Sequence, residues 1–345
     1  MRFGIVHMKM NFHLPLHSPF AIFAETFLSM QTVNQYLRLV EDGLGALRFP
    51  GTPAGLYQPI EYTLDGGGKR LRPVLTLAVA DALGLNPSLA LNQALGIEMF
   101  HNFTLLHDDV MDKADTRRRR PTVHVKWNEN TAILSGDAML TMATSLVVEN
   151  SGDRLPDVLS MFNTTAMQIY EGQQFDMDFE TRSDVTVKEY LDMIYLKTAV
   201  LMGAACAIGV IMARGDEKAM HGFYDYATDM GLAFQLRDDL LDTFGDPTVF
   251  GKKIGGDILN NKKTWLLVNA MENPALLPWL EASPSQEKID AVTKIYREME
   301  LDKKCADLVD DYASKALRHL GELDLSPEAA TFFTDLVNDL SSRKQ

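Results

Sequence analysis

Apolar residues recur at helical spacing through most of this chain, and alternating strand-like runs are nearly absent. Between Val33 and Leu47 the residues Tyr36, Leu37, Val40, Leu44 and Leu47 share one face. Phe49-Pro50-Gly51-Thr52-Pro53 breaks that helix, and Asp65-Gly66-Gly67-Gly68 forms a flexible loop. Lys69-Arg70-Leu71-Arg72-Pro73 leads into the next helix, with Pro73 suited to its first turn. After Asn86-Pro87-Ser88, where Ser88 offers an N-cap, Leu89 to Met111 is apolar nearly all round, so this helix is expected to be central. Further helices are predicted over 131–149, 155–179, 185–213 and 217–244. The chain closes with helices over 262–271, 286–300, 303–323 and 327–340. The fold class is therefore all-α, with no composition shift that marks a second domain.

Two segments change this picture. Ala199 to Ala213 is fifteen residues without a charge. A membrane span needs about twenty, so the run reads as a buried helix packed through small residues, and no membrane span is expected. Residues 1–29 show no clear period. They read as an N-terminal extension, poorly ordered or laid on the surface, ahead of a single domain over 30–345. A cleaved targeting segment is the less favoured reading.

The composition, 46% hydrophobic and 23% charged over 345 residues, is that of a soluble globular protein. A net charge of -14, from 33 basic and 47 acidic residues, argues against a nucleic-acid partner. Two cysteines, Cys206 and Cys305, make neither a disulfide framework nor a metal site, and suit the cytoplasm.

The chemistry is concentrated at Asp108-Asp109-Val110-Met111-Asp112, which ends the central helix and is followed by Arg117-Arg118-Arg119-Arg120. Asp108 and Asp112, at i and i+4, share a face and repel. A hard divalent cation with oxygen ligands would neutralise them, and the arginines suit an anion with several oxygens. The Asp-Asp-x-x-Asp spacing recurs at Asp238-Asp239-Leu240-Leu241-Asp242, again ending an apolar helix. One copy could be a solvated helix end; two, each followed by basic residues, point to metal-held diphosphate. No EF-hand loop and no Walker A match is present. A glycosidase carboxylate pair would leave the arginines and lysines unexplained.

These residues resemble the trans-isoprenyl diphosphate synthases, which include farnesyl and geranylgeranyl diphosphate synthases. Gly67-Gly68-Lys69-Arg70-Leu71-Arg72-Pro73 is similar to the family's GGKRxRP. The two aspartate clusters are similar to its paired motifs, and Glu171-Gly172-Gln173 with Asp176 to its GQxxD. Lys197-Thr198, Phe234-Gln235, Gly251-Lys252 and Gly255-Gly256-Asp257 fall where the family has KT, FQ and GKxxGGD. The likeness runs from about Met30 to the end. It implies the isoprenoid synthase fold, about ten core helices around a deep central cavity, in a homodimer. It also implies three magnesium ions on the allylic diphosphate, held by Asp108, Asp112, Asp176 and Asp238. Asp109, Asp239 and Asp242 would act behind these or through water. Arg117, Lys197, Lys252 and Lys262 would contact that same diphosphate. Lys69, Arg72, His101 and Arg118 would hold isopentenyl diphosphate, and Thr198 and Gln235 would line the reacting carbons. Arg119 departs from the family's usual glycine, which leaves the path of its loop open.

The implied reaction is ionisation of the allylic diphosphate, attack by the second substrate's double bond, and loss of a proton to the released diphosphate. His107 reads as a structural neighbour of the aspartates. Phe103, about 7.5 Å along the helix from Asp108, would limit product growth, with the small Thr104 beside it. A C15 or C20 product is expected, and the choice between them stays open. The rival reading is a class I terpene cyclase-like lyase. It would carry an Asn/Ser/Glu metal motif late in the chain and would not need the Lys69–Arg72 site.

Overall fold

A computed structural model describes residues 30–245 and 254–341. The expected extension over 1–29 and Lys252 lie outside the described residues.

The helices run in the anticipated order. They are α1 (Val33–Ala46), α2 (Ala54–Leu64), α3 (Leu71–Ala82), α4 (Leu91–Met111), a short α5 (Val123–Lys126), α6 (Glu129–Val148), α7 (Leu155–Thr181), α8 (Val187–Ile194), α9 (Val200–Ala213) and α10 (Glu217–Phe244). Longer helices at Gln286–Glu298, Leu301–Gly321 and Pro327–Ser341 complete the bundle. α4 packs along α6, while α9 is enclosed by α3, α7 and α10. The uncharged run is thus a core helix, buried at every position from Ala199 to Val210. Its small residues let neighbouring backbones approach closely.

Local chemistry sets the helix ends. Thr186 Oγ1 accepts from Glu189 N (3.2 Å) while Glu189 Oε2 accepts from Thr186 N (2.8 Å), a capping box that starts α8. Asp216 caps α10 through Ala219 N (2.8 Å).

Four details differ from the sequence reading. Asn86, not Ser88, is the cap: its Oδ1 accepts from Ser88 N (3.0 Å) and holds a 3₁₀ turn over Pro87–Ala90, so α4 begins at Leu91. The predicted 185–213 helix is interrupted by a π-helical turn at Tyr195–Ala199. α2 is a helix with no clear sequence signal, because it lies between two breaks and carries Pro59 in its interior. A two-residue β-hairpin pairs Thr116–Arg117 with Arg120–Pro121.

That hairpin answers how the Arg119 loop turns. Arg118 (φ 50°) and Arg119 (φ 62°) both adopt the left-handed region. Two positive φ values at the centre of a two-residue loop are the signature of a type I′ turn, which usually contains glycine or asparagine. Each arginine there carries a backbone cost on the order of 1 kcal/mol.

Candidate active site

Two acidic helix ends face each other across one cleft. Asp108, Asp109 and Asp112 lie at the C-terminal end of α4, and Gln235, Asp238, Asp239 and Asp242 in the last three turns of α10. Asp176 comes from α7, and the π turn supplies Lys197 and Thr198. Such turns recur at functional sites because the extra residue re-aims side chains. Here it is wedged against α7: a Cβ on Gly172 would lie 2.5 Å from Lys197 N. No residue larger than glycine fits that approach.

Lys197 ties the elements together. Its Nζ donates to Asp176 Oδ2 (2.6 Å) and stands 3.1 Å from Asp108 Oδ1. Burial would lower its pKa, but Asp108 and Asp176 overcome that and raise it. Lys262, in the segment after the short helix Gly256–Leu259, is held charged chiefly by Asp257, with Asp239, Asp176 and Asp108 adding to the field. Two lysines therefore stand between the two aspartate motifs.

The acids are not equivalent. Asp109 is buried and receives Arg117 Nε on both oxygens (2.8 and 3.0 Å), so it holds the arginine. Asp239 is buried too, accepting from Tyr190 Oη and from Gln235 Nε2 (3.1 Å). Burial and the neighbouring Asp257 push its pKa up to about 7. Asp242 Oδ2 accepts from Asp257 N (2.9 Å), anchoring the loop that leads to Lys262. Asp108 and Asp112 point into the cleft. Partial burial and the charge of Asp108 push Asp112 up to about 6.

A divalent cation suits this donor set. It is all oxygen, as a hard ion requires. Asp108 Oδ1 is also buried without a hydrogen bond, facing only the charge of Lys197. Among the described residues no three carboxylates converge on one point as they stand. Lys197, between Asp108 and Asp176, fills the position that an ion shared by those two would take.

A second cationic group lies about two turns back along the same face of α4. Arg72 Nη1 donates to His101 Nε2 (3.3 Å); arginine has no acceptor, so that histidine nitrogen carries no proton. Burial first, then Arg72, Arg118 and Arg117, hold the His101 pKa well below its usual range. Burial also lowers Arg72 to about 10, against the pull of Glu98. Arg118 Nη1 donates to Gly67 O. Gly68, at φ 143°, lies under that guanidinium, where a Cβ would stand 2.8 Å from Arg118 Nη2. The triple-glycine loop and the hairpin therefore fit together around one cationic pocket.

Arg70 does not join that pocket. It is 4% exposed, with Nη1 on Glu98 Oε1 (2.7 Å), Nε on Glu41 Oε1 (2.9 Å) and Nη2 on Leu64 O (2.8 Å). Asn102 Nδ2 donates to the same Glu98 oxygen (2.9 Å). Glu98 is thus the buried counter-charge beneath the arginines. The sequence signal for it was an acid inside an apolar helix. Nothing local pointed to Tyr190.

Towards the core, Thr198 Oγ1 donates to Gln235 Oε1 (3.2 Å). Phe103 is 5% exposed and packs against Phe100, His107 and Tyr170, with ring centroids at 5.5, 4.8 and 6.3 Å. Thr104 turns its hydroxyl back to His101 O (2.8 Å). His107 approaches Ile133 O of α6 (3.0 Å).

Residues 53–299 match the family described as polyprenyl synthetase. The chain belongs to the polyprenyl synthetase family. It is an isoprenyl diphosphate synthase, a prenyltransferase. It is 42% identical over 222 residues to a geranylgeranyl diphosphate synthase of Methanosarcina mazei, covering 64% of this chain and 68% of that one. It is 38% identical over 261 residues to a geranylfarnesyl diphosphate synthase of Natronomonas pharaonis, covering 70% and 76%. A crystal structure of a geranylgeranyl pyrophosphate synthase superposes with a TM-score of 0.87 at 45% identity, covering 92% of this synthase and all of that chain. The all-α isoprenoid synthase fold expected from the sequence is the one observed.

Proposed function

We propose that this synthase condenses isopentenyl diphosphate with allylic diphosphates to give farnesyl or geranylgeranyl diphosphate. The observation that carries the reading is the pairing of two anion sites along one face of α4, where His101 stands about two turns before Asp108. One is the aspartate–lysine cleft; the other is the pocket of Arg72, His101 and Arg118. A terpene cyclase-like lyase handles one diphosphate and has no use for the second site.

In this reading Asp108, Asp112, Asp176 and Asp238 would hold magnesium. When bound, that metal supplies Lewis-acid charge to the leaving diphosphate. Lys197, Lys262 and Arg117 contact the allylic diphosphate, and Lys252 is assigned with them. Asp109 aims Arg117, and Asp242 anchors the loop that carries Lys262. As the C–O bond breaks, these fixed cations offset the charge growing on diphosphate. Lys69, Arg72 and Arg118 grip isopentenyl diphosphate. His101, unprotonated on Nε2, turns its Nδ1–H to the same group. The aromatic and aliphatic walls below exclude water from the allylic cation. Thr198 and Gln235 line the bond-forming carbons. No side-chain base is required, because the released diphosphate accepts the proton.

Phe103, buried under the aspartates, would form the floor. The likeness to geranylgeranyl synthases favours a C20 product over C15. Among the described residues, two stretches are long and apolar enough to cross a membrane, α6 and Val187–Ala213. The second is 72% buried within the protein, whereas α6 is 44% buried and exposes Ile133 and Leu134. We assign that α6 face, with Met167 of α7, to a homodimer interface, and the buried thiols Cys206 and Cys305 suit a cytoplasmic enzyme.

The test is incubation with magnesium, isopentenyl diphosphate and dimethylallyl, geranyl or farnesyl diphosphate, followed by sizing of the products. C15 or C20 alcohols after dephosphorylation are expected. No elongation from any starter would refute the reading. Sedimentation of the pure protein checks the dimer.

A further inference from the structure

The arginines that divide between the two anion sites sit on a hairpin that is costly to form, and one aromatic ring at the edge of their cavity holds it. Tyr62, on α2, donates from Oη to Pro121 O (2.8 Å), a contact spanning 59 residues. The Arg120 guanidinium lies 3.9 Å from the centroid of its ring, and Lys126 Nζ lies 3.8 Å from it. Trp127 packs edge-on at 5.3 Å. Tyr62 therefore grips the second hairpin strand at Arg120 and Pro121, and the chain just beyond it at Lys126 and Trp127.

The base of the hairpin is tied separately. Thr122 Oγ1 donates to Ala114 O (2.7 Å) and Thr122 N to Asp115 O (3.1 Å). Those bonds close the loop but leave its tilt free. Tilt decides whether Arg117 meets Asp109 while Arg118 meets Gly67 O, and both contacts are made here. The flanking turn opposes a fixed tilt, since Arg118 and Arg119 occupy left-handed backbone where a side chain is disfavoured. A lateral hold from outside the loop supplies what the turn lacks.

We propose that Tyr62 is a positioning residue for the reaction. It fixes the hairpin so that Arg117 and Arg118 address two diphosphates at one set separation. Tyr62 borders the same cavity as Asp109, Arg117 and Arg118, and its role runs through the strand it clamps. The inference rests on the two-diphosphate reading above.

The test uses the full-length protein and five variants, Tyr62→Ala, Tyr62→Phe, Lys126→Met, Arg119→Gly and the Tyr62→Ala/Arg119→Gly double variant. KM for isopentenyl diphosphate, kcat and affinity for inorganic diphosphate are measured for each. Tyr62→Ala is expected to raise KM for isopentenyl diphosphate about tenfold and weaken diphosphate binding alike, the loss of roughly one hydrogen bond with its cation contacts. kcat at saturation should change less than KM. Tyr62→Phe, which keeps the ring but loses the hydrogen bond to Pro121 O, should raise KM about threefold. Glycine at 119 relaxes the turn, so the double variant should recover most of the lost affinity. A residue that only fills space would show no such rescue. Wild-type KM in Tyr62→Ala, or no recovery in the double variant, overturns the proposal. If Tyr62→Ala does not fold, a wild-type KM in both Tyr62→Phe and Lys126→Met overturns it. If the wild type itself neither binds diphosphate nor elongates, the two-diphosphate reading has failed instead.

Discussion

Alanine at Gly172 should separate activity from stability. The added methyl would stand 2.5 Å from Lys197 N and 2.9 Å from Leu196 C and Leu196 Cβ. Carbon contacts settle at roughly 3.5–4.0 Å, so α7 and the π turn must part by about 1 Å. Two of the three obstructing atoms are backbone and cannot rotate away. Overpacking of this kind costs about 1–3 kcal/mol, and replacing glycine within a helix returns up to about 1 kcal/mol. The net loss of stability is therefore about 0–3 kcal/mol, small enough for the protein to stay folded. The loss of rate should be larger. Lys197 Nζ is 2.6 Å from Asp176 and 3.1 Å from Asp108, and a shift of about 1 Å breaks at least one of these contacts. Misplacement on that scale costs on the order of 10²-fold in rate. The assay is kcat at saturating substrates beside thermal unfolding, with Gly45→Ala as control. Gly45 lies in α1 with nothing within 4 Å of its absent Cβ, so alanine there should stabilise by about 0.5–1 kcal/mol and leave kcat unchanged. A Gly172→Ala enzyme with wild-type kcat would refute the assignment of that glycine to the placement of Lys197.

Phe103→Ala should lengthen the products by at least one isoprene unit and destabilise the free enzyme by about 3–5 kcal/mol; product sizing beside urea unfolding checks both, and unchanged lengths would show that the floor lies elsewhere. Gly68→Ala should raise KM for isopentenyl diphosphate while sparing that for the allylic partner, because the methyl strikes the Arg118 guanidinium and the φ of 143° disfavours any side chain; equal effects on both constants would argue against two separate anion sites. Burial holds the Lys288 ammonium, 1% exposed, below its usual pKa. A base with a lowered folded pKa binds fewer protons folded than unfolded, so its penalty is fully present at neutral pH and fades as pH rises towards the unfolded value. Lys288→Met should therefore be more stable than the wild type at pH 7, with the gap narrowing towards pH 10; a gap independent of pH would show that packing, not charge, sets it.

Much of this enzyme could be read along the chain because much of it is local. Apolar spacing at the helical period marks α1, α4, α6, α7 and α10 within a few residues of their observed ends, since each helix closes its hydrogen bonds within itself. Asp108 and Asp112 share a face by arithmetic, and the same spacing at Asp238–Asp242 signalled a second half. Other features come from contacts between distant residues, which no local pattern encodes. Periodicity could not distinguish the π turn at 195–199 from an α-helix, because the turn exists only where α7 approaches at Gly172. The identical chemistry of Asp108 and Asp109 hid their different tasks until the fold turned one into the cleft and the other onto Arg117. Arg70 and Arg72 are two residues apart, yet one is consumed by Glu98, Glu41 and Leu64 O while the other lines the anion pocket. The sequence alone determined the helices and the kind of chemistry they carry. Only the tertiary structure decided which charge meets which, because helix formation is satisfied within a dozen residues, whereas burial and pairing of charge depend on what the rest of the chain brings alongside.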